Sequence, residues 1–99
     1  MKSYDKAAWH IDGGENSVDV VKRFKEIFQF LSEKKLLTED GLETLNYCMD
    51  SSVSLNSSMV NPNGAAFLDS YYDTILDKNL RELRKNLEDA YTEFKKNIV

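Results

Sequence analysis

The sequence has few of the residues that form disulfide bonds or bind metals, and it has no long apolar run. It has one cysteine, Cys48, so no internal disulfide can form, and a reducing compartment is expected. The first six residues lack the apolar core of a signal peptide. No apolar run approaches the roughly 20 residues needed to span a bilayer. We therefore predict a cytoplasmic protein with no membrane association.

The single histidine, His10, also limits the chemistry that the chain can carry. No Cys-x-x-Cys, no histidine pair and no carboxylate-rich calcium loop occurs, so neither a metal nor another cofactor is predicted. A catalytic dyad of His10 with Cys48 is conceivable, with Asp5 or Asp12 orienting the imidazole. A structural histidine beside Trp9 and a small buried Cys48 are the favoured interpretation. The sequence thus predicts no enzyme.

Positive charge is missing from one long stretch. Residues 36–77 contain seven acidic side chains and no lysine or arginine, whereas residues 1–35 sum to +1 and residues 78–99 to +2. An ordinary protein surface interleaves the two signs. A reader of nucleic acid needs a basic face for the phosphates, so this layout argues against nucleic-acid binding. It favours a basic partner instead.

What the chain does have is enough apolar and aromatic residues for one core. Ninety-nine residues are the usual length of one domain, here 1–99, and the 11% aromatic content argues against disorder. Apolar residues recur at three- and four-residue steps. We predict a mainly all-α fold, a compact bundle of about four helices with an N-terminal arm at residues 1–16.

Capping residues place the helix starts. Asn16 or Ser17 begins the first helix, Thr38 the second and Asn61-Pro62 the third. Leu37 and Leu42 could form a hydrophobic staple at the second start, and Leu42, Leu45 and Met49 form its apolar stripe. The second and third helices open alike, with Leu37-Thr38-x-x-Gly41 beside Val60-Asn61-x-x-Gly64.

Three segments leave alternatives open. Short strands are possible near residues 8–11 and 52–56, although an extended loop also fits the serine-rich residues 50–60. The fourth helix spans about Lys78 to Lys96. It could continue from the third as one rod, with a break favoured at Asp77-Lys78-Asn79.

A candidate partner-binding surface lies on the third helix. Asp69, Asp73 and Asp77 are four residues apart and so share one strip of the helix, where like charges repel. Tyr47, Tyr72 and Glu43 complete the predicted surface, since tyrosine is common in interface hot spots. The alternative is a solvated face neutralised by Lys78, Arg81 or Arg84.

The opening Tyr4-Asp5-Lys6-Ala7-Ala8-Trp9-His10 resembles that of small bacterial proteins with a Tyr-Asp-x-Ala-x-Trp-His start, some of which look like toxin-immunity proteins. The resemblance covers about seven residues, and no functional residue is carried over. It implies an inhibitor of a toxin. An acidic surface suits a protein partner such as a basic toxin, since charge complementarity speeds encounter.

A different class of function follows from the last helix. Leu80, Leu83, Leu87, Ala90 and Phe94 follow heptad-like steps over about two and a half heptads. The alternative hypothesis is therefore a structural module that forms homo-oligomers through this 80–94 seam.

Overall fold

The computed structural model describes residues 2–76 and 82–97, and these residues form a mainly α-helical bundle with one small sheet, as predicted. The elements, in chain order, are β1 (Ser3–Lys6), α1 (Ala7–Asp12), α2 (Ser17–Glu33), α3 (Glu39–Tyr47), β2 (Ser54–Asn56), a 3-10 turn (Ser57–Met59), α4 (Pro62–Leu76) and α5 (Leu83–Asn97). The Cα radius of gyration is 12.7 Å, close to the value of about 13 Å expected for a compact chain of this length.

The N-terminal arm is a strand followed by a helix. β1 pairs antiparallel with β2, which confirms the strand predicted near 52–56. The strand predicted near 8–11 is wrong, because those residues belong to α1. β2 is only three residues long and pairs with β1, so residues 8–11 have no strand partner. They satisfy their backbone groups as a helix instead.

Helix α2 forms the centre of the core. The side chain of Asn16 accepts hydrogen bonds from the backbone nitrogens of Val18, at 2.9 Å, and Asp19, at 3.3 Å, which confirms the predicted cap. One face of the helix carries its fully buried side chains, which recur at helical spacing. They are Val20, Phe24, Ile27, Phe28, Phe30 and Leu31.

The starts of α3 and α4 pair with each other. The Thr38 hydroxyl accepts from Gly41 N at 3.3 Å, and the Asn61 side chain accepts from Gly64 N at 2.9 Å, so both predicted caps are confirmed. Leu37 and Val60, the residues before the caps, form an antiparallel bridge. The two similar capping sequences therefore belong to helix starts that lie next to each other.

Helices α4 and α5 pack as a hairpin. The Phe67 ring contacts the rings of Tyr91 and Phe94, each with centroids 5.6 Å apart, so the end of α5 lies beside the beginning of α4. One continuous rod is therefore excluded. The break predicted at Asp77-Lys78-Asn79, like the predicted start of the last helix, lies outside the described residues.

The apolar seam of α5 faces this chain's own core. Leu83 is 1% exposed, Leu87 is fully buried and Phe94 is 6% exposed, while Leu80 lies outside the described residues. Ala90 packs against the same core. The described part of the seam is thus covered by α2 and α4 rather than by solvent.

Candidate functional site

The acidic strip predicted on the third helix is partly neutralised by the arm. Asp69 forms an ion pair with Lys2, with Nζ 2.5 Å from Oδ1, and this hydrogen bond raises the pKa of Lys2. Asp73 is exposed and forms no ion pair with any residue that the structure describes. Asp77 lies outside the described residues. Arg84, which the alternative assigned to this strip, pairs with Glu26 and Glu33 instead.

Tyr72 is not part of a partner-binding surface, and this prediction is wrong. Its side chain is 4% exposed, and its hydroxyl donates a hydrogen bond of 2.7 Å to Oδ2 of Asp5, which is 3% exposed. Burial, the charge of Asp5 and this hydrogen bond raise the pKa of Tyr72 well above its ordinary value. Tyr72 follows the buried Leu68 by one helical turn and so points into the core.

The conspicuous opening of the sequence builds a buried polar network around Asp5. The Asp5 carboxylate accepts from Lys6 N at 2.8 Å and lies 2.7 Å from His10 Nε2. The other imidazole nitrogen lies 2.8 Å from Glu15, which also accepts hydrogen bonds from Arg23. These bonds from Arg23 and His10 hold the pKa of Glu15 below its ordinary range. The network joins the arm to α2 and α4.

The two candidate catalytic residues, His10 and Cys48, lie on different elements of the fold. Both nitrogens of His10 face carboxylates, and the ring packs edge-on against Phe24. Cys48 is exposed at the end of α3, and its thiol forms no hydrogen bond with the residues that the structure describes. The expectation that Cys48 is buried is therefore wrong. Asp5 orients the imidazole, as one alternative anticipated, but the imidazole contacts no nucleophile.

Helix α3 presents the remaining two predicted residues, Glu43 and Tyr47, on one exposed face. At about 100° per residue, the exposed side chains follow each other around a continuous arc. We call this arc the α3 outer face; its members are Leu42, Asn46, Glu39, Glu43, Tyr47 and Asp40. Two carboxylates lie at its centre, with an apolar or aromatic side chain on either flank.

The flanking side chains are unusually accessible. Tyr47 is 82% exposed and Leu42 is 41% exposed, so this nine-residue helix carries two of the four exposed large hydrophobic side chains in the part of the chain that the structure describes. Leu42 was predicted to lie in the apolar stripe, and that prediction is wrong. Gly41 occupies the close contact with the 3-10 turn instead, since a Cβ at this position would lie 2.3 Å from Met59 O.

Among the described residues, no cation pairs with the acids of the α3 outer face. Glu39, Asp40 and Glu43 form no ion pair there, and Arg84 and Lys85 of α5 pair with acids of α2 and α5 instead. Glu39 and Asp40 are favourably placed in the first turn of the helix, whereas Glu43 gains nothing from the dipole there. The face therefore stays anionic in the folded protein.

Comparisons with protein-family models, curated proteins and solved structures give no match. No helix among the described residues is long and apolar enough to cross a membrane. Over the same residues, no three His, Cys, Asp or Glu side chains are grouped as metal ligands would be.

Sequence reasoning missed several parts of this arrangement. The Lys2–Asp69 pair joins residues 67 positions apart, and no local pattern indicates it. The predicted surface also omits Glu39 and Asp40, although their spacing to Glu43 already places all three on one side of a helix. Helical spacing from Tyr47 back to Glu43 and Glu39 was the signal that could have identified the α3 outer face.

Proposed function

We propose that this chain is a small cytoplasmic binding protein of the inhibitor or immunity type, which engages a basic protein partner through the α3 outer face. The observation that carries the proposal is the uncompensated pair Glu39 and Glu43, set between the exposed side chains of Leu42 and Tyr47. The proposed surface shares Glu43 and Tyr47 with the surface predicted from the sequence, but it is centred on α3 rather than on α4.

Electrostatics favours a cationic partner for this face. Like charges one helical turn apart repel by a few tenths of a kcal/mol, and a nearby lysine or arginine of a partner would relieve that repulsion. Complementary potentials raise association rates and exclude wrong partners, while each exposed ion pair adds little affinity. The acidic residues therefore supply selection and speed of encounter.

The apolar flank would supply most of the affinity. Tyrosine is enriched among the few interface residues that dominate binding, and Tyr47 has most of its surface available for burial. Transfer of apolar area from water is worth about 25 cal/mol per Å². Replacing Tyr47 with alanine is expected to weaken a complex by about tenfold or more, which corresponds to at least ~1.4 kcal/mol.

The proposal is tested by charge reversal in the source cells. Tagged wild-type protein and the variant Glu39→Lys/Glu43→Lys are purified together with bound proteins, which are quantified by mass spectrometry. Asp12→Lys/Glu93→Lys is the matched control, because it makes the same charge change at exposed acids elsewhere. A basic protein should bind the wild type and the control and be lost from the α3 variant. Equal recovery with all three would refute the assignment of this face.

The alternative predicted from the sequence was self-association through the 80–94 seam. In the described structure Leu83, Leu87 and Phe94 already pack inside the same chain, so a second copy could reach them only after α5 separates from the core. Sedimentation equilibrium over a range of concentrations should accordingly show a monomer. A dimer that dissociates on Leu87→Asn, with the monomer still folded, would restore this alternative.

A further inference from the structure

A groove of about 670 Å³ separates the first half of α2 from the end of α3. Its apolar surface comes from both helices: Val18 and Val21 on α2, and Leu45, Tyr47 and Met49 at and after the end of α3. Its volume lies within the range of roughly 300–1,000 Å³ that is typical of ligand sites. Val18 is 59% exposed and Tyr47 is 82% exposed, so these apolar side chains are accessible to an occupant.

Two cations line the same groove. Lys22 and Lys25 lie three residues apart on α2, on neighbouring positions of one helix surface, and both are exposed. Neither forms an ion pair with a residue that the structure describes. The acids closest in sequence do not neutralise them: Glu26 accepts from Arg84, and Asp19 lies near the positive end of α2. The α2 side of the groove is therefore cationic.

The acid near the other side of the groove is also engaged. Asp50 precedes the groove residue Ser51 and accepts hydrogen bonds from the backbone nitrogen and the hydroxyl of Ser52, which lower its pKa. Glu43 lies one turn before Tyr47 on α3 but does not line the groove. Asp50 stays ionised but does not line the groove, so an occupant meets the two unpaired lysines on one side and mainly apolar side chains on the other.

Polar side chains in the groove indicate what kind of molecule it fits. Ser17, Asn46 and Ser51 also line it and offer hydrogen-bonding groups that a peptide backbone can use. The groove is open to solvent along one side, whereas a hydrocarbon chain needs enclosure to bury its surface. A peptide is therefore favoured over a fatty acid.

We propose that this groove docks a short peptide segment of a protein partner, one that combines apolar side chains with aspartate or glutamate. The apolar side chains would pack between Val18 and Met49, and the carboxylates would face Lys22 and Lys25. This proposal goes beyond the α3 outer face, because it concerns the opposite charge and the α2 side of α3. The two surfaces share only Tyr47 and Asn46.

The test selects peptides without assuming a sequence. A random-peptide phage library is panned on the full-length wild-type protein, and enriched peptides are synthesised and measured by fluorescence anisotropy. They should be rich in aspartate or glutamate beside apolar residues. Lys22→Glu/Lys25→Glu should weaken them by roughly tenfold or more, since each carboxylate then meets a like charge. The control Lys85→Glu/Lys96→Glu, which changes exposed lysines of α5, should not.

Several outcomes would overturn the proposal. These are no enriched peptide, enriched peptides without acidic residues, or equal affinity for the groove variant and the wild type. Laurate that binds in competition with the peptides, and more tightly than any of them, would overturn the choice of a peptide. Glu39→Lys/Glu43→Lys should not weaken the acidic peptides, because neither side chain lines the groove, whereas it should abolish binding of the basic partner of the α3 outer face; this opposite response separates the two proposals.

Discussion

Replacing Tyr72 with phenylalanine removes one hydroxyl group from the core and leaves the packing of the ring unchanged. That hydroxyl donates at 2.7 Å to Asp5, whose carboxylate is 3% exposed and cannot gain water as a substitute. A hydrogen bond to a charged group contributes about 1.5–3 kcal/mol. Asp5 keeps its contacts to Lys6 N and His10, so the lower part of that range, about 2 kcal/mol, is expected.

The assay is equilibrium unfolding in urea followed by circular dichroism. A loss of about 2 kcal/mol lowers the urea midpoint by roughly 1 M and the thermal midpoint by about 10 °C for a domain of this size. Tyr71→Phe is the matched control, because the Tyr71 hydroxyl only accepts a long bond of 3.4 Å from Asn97. The free energy of unfolding of Tyr71→Phe should fall by less than about 0.5 kcal/mol. Equal effects of the two variants would refute the role given to the Asp5 network.

Tyr72→Phe also tests how the free energy of unfolding changes as the pH rises into the alkaline range. The folded protein raises the pKa of Tyr72 well above 10.0, mainly by burial, whereas the unfolded chain ionises near that value. The stability from this group is therefore complete below pH 10 and is lost as the pH rises toward the folded-state pKa. The difference between wild type and Tyr72→Phe should therefore be constant below about pH 10 and shrink as the pH rises above that value. A constant difference would contradict the raised pKa.

Three further outcomes are expected. Gly41→Ala should cost about 1–3 kcal/mol in urea unfolding despite the better helix propensity of alanine, because its Cβ would lie 2.3 Å from Met59 O; a gain in stability would disprove the close contact. Asn61→Ala should cost about 1–2 kcal/mol in urea unfolding by losing the cap on Gly64 N and the hydrogen bond from Nδ2 to Lys35 O at 2.8 Å; Asn61→Asp keeps the cap acceptor but loses that donor, so it should also be destabilising. The pKa of Glu15 is lowered, first by an arginine of α2 and then by His10. Its contribution to the free energy of unfolding is therefore present above pH 4.5 and lost as the pH falls. The thermal midpoint of Glu15→Gln should accordingly decline less in acid than that of the wild type.

The helices were predictable because their signals are local. Asn16, Thr38 and Asn61 each accept from a backbone nitrogen two or three residues later, so the sequence of the start contains both partners of the bond. The buried face of α2 likewise follows from the spacing of Val20, Phe24 and Leu31.

The misplaced residues depend on partners distant in sequence. Residues 8–11 belong to α1 rather than to a strand, and the Tyr72 hydroxyl finds its acceptor in Asp5, 67 positions away in sequence. Gly41, rather than Leu42, makes the close contact with Met59 O. The charge pattern of residues 36–77 identified the sign of the surface. Which acids remain unpaired became clear only once Lys2 was located beside Asp69.

The bridge between Leu37 and Val60 ties the two ends of the intervening segment together. Thr38 N donates to Met59 O at 3.0 Å and Asn61 N donates to Leu36 O at 2.9 Å, so the segment between them, which carries α3 and β2, is closed at its base. Substitutions at exposed positions of α3 therefore leave this base and the core behind it intact. The side chains that would meet a partner can thus be exchanged one by one without opening the contacts that close the segment.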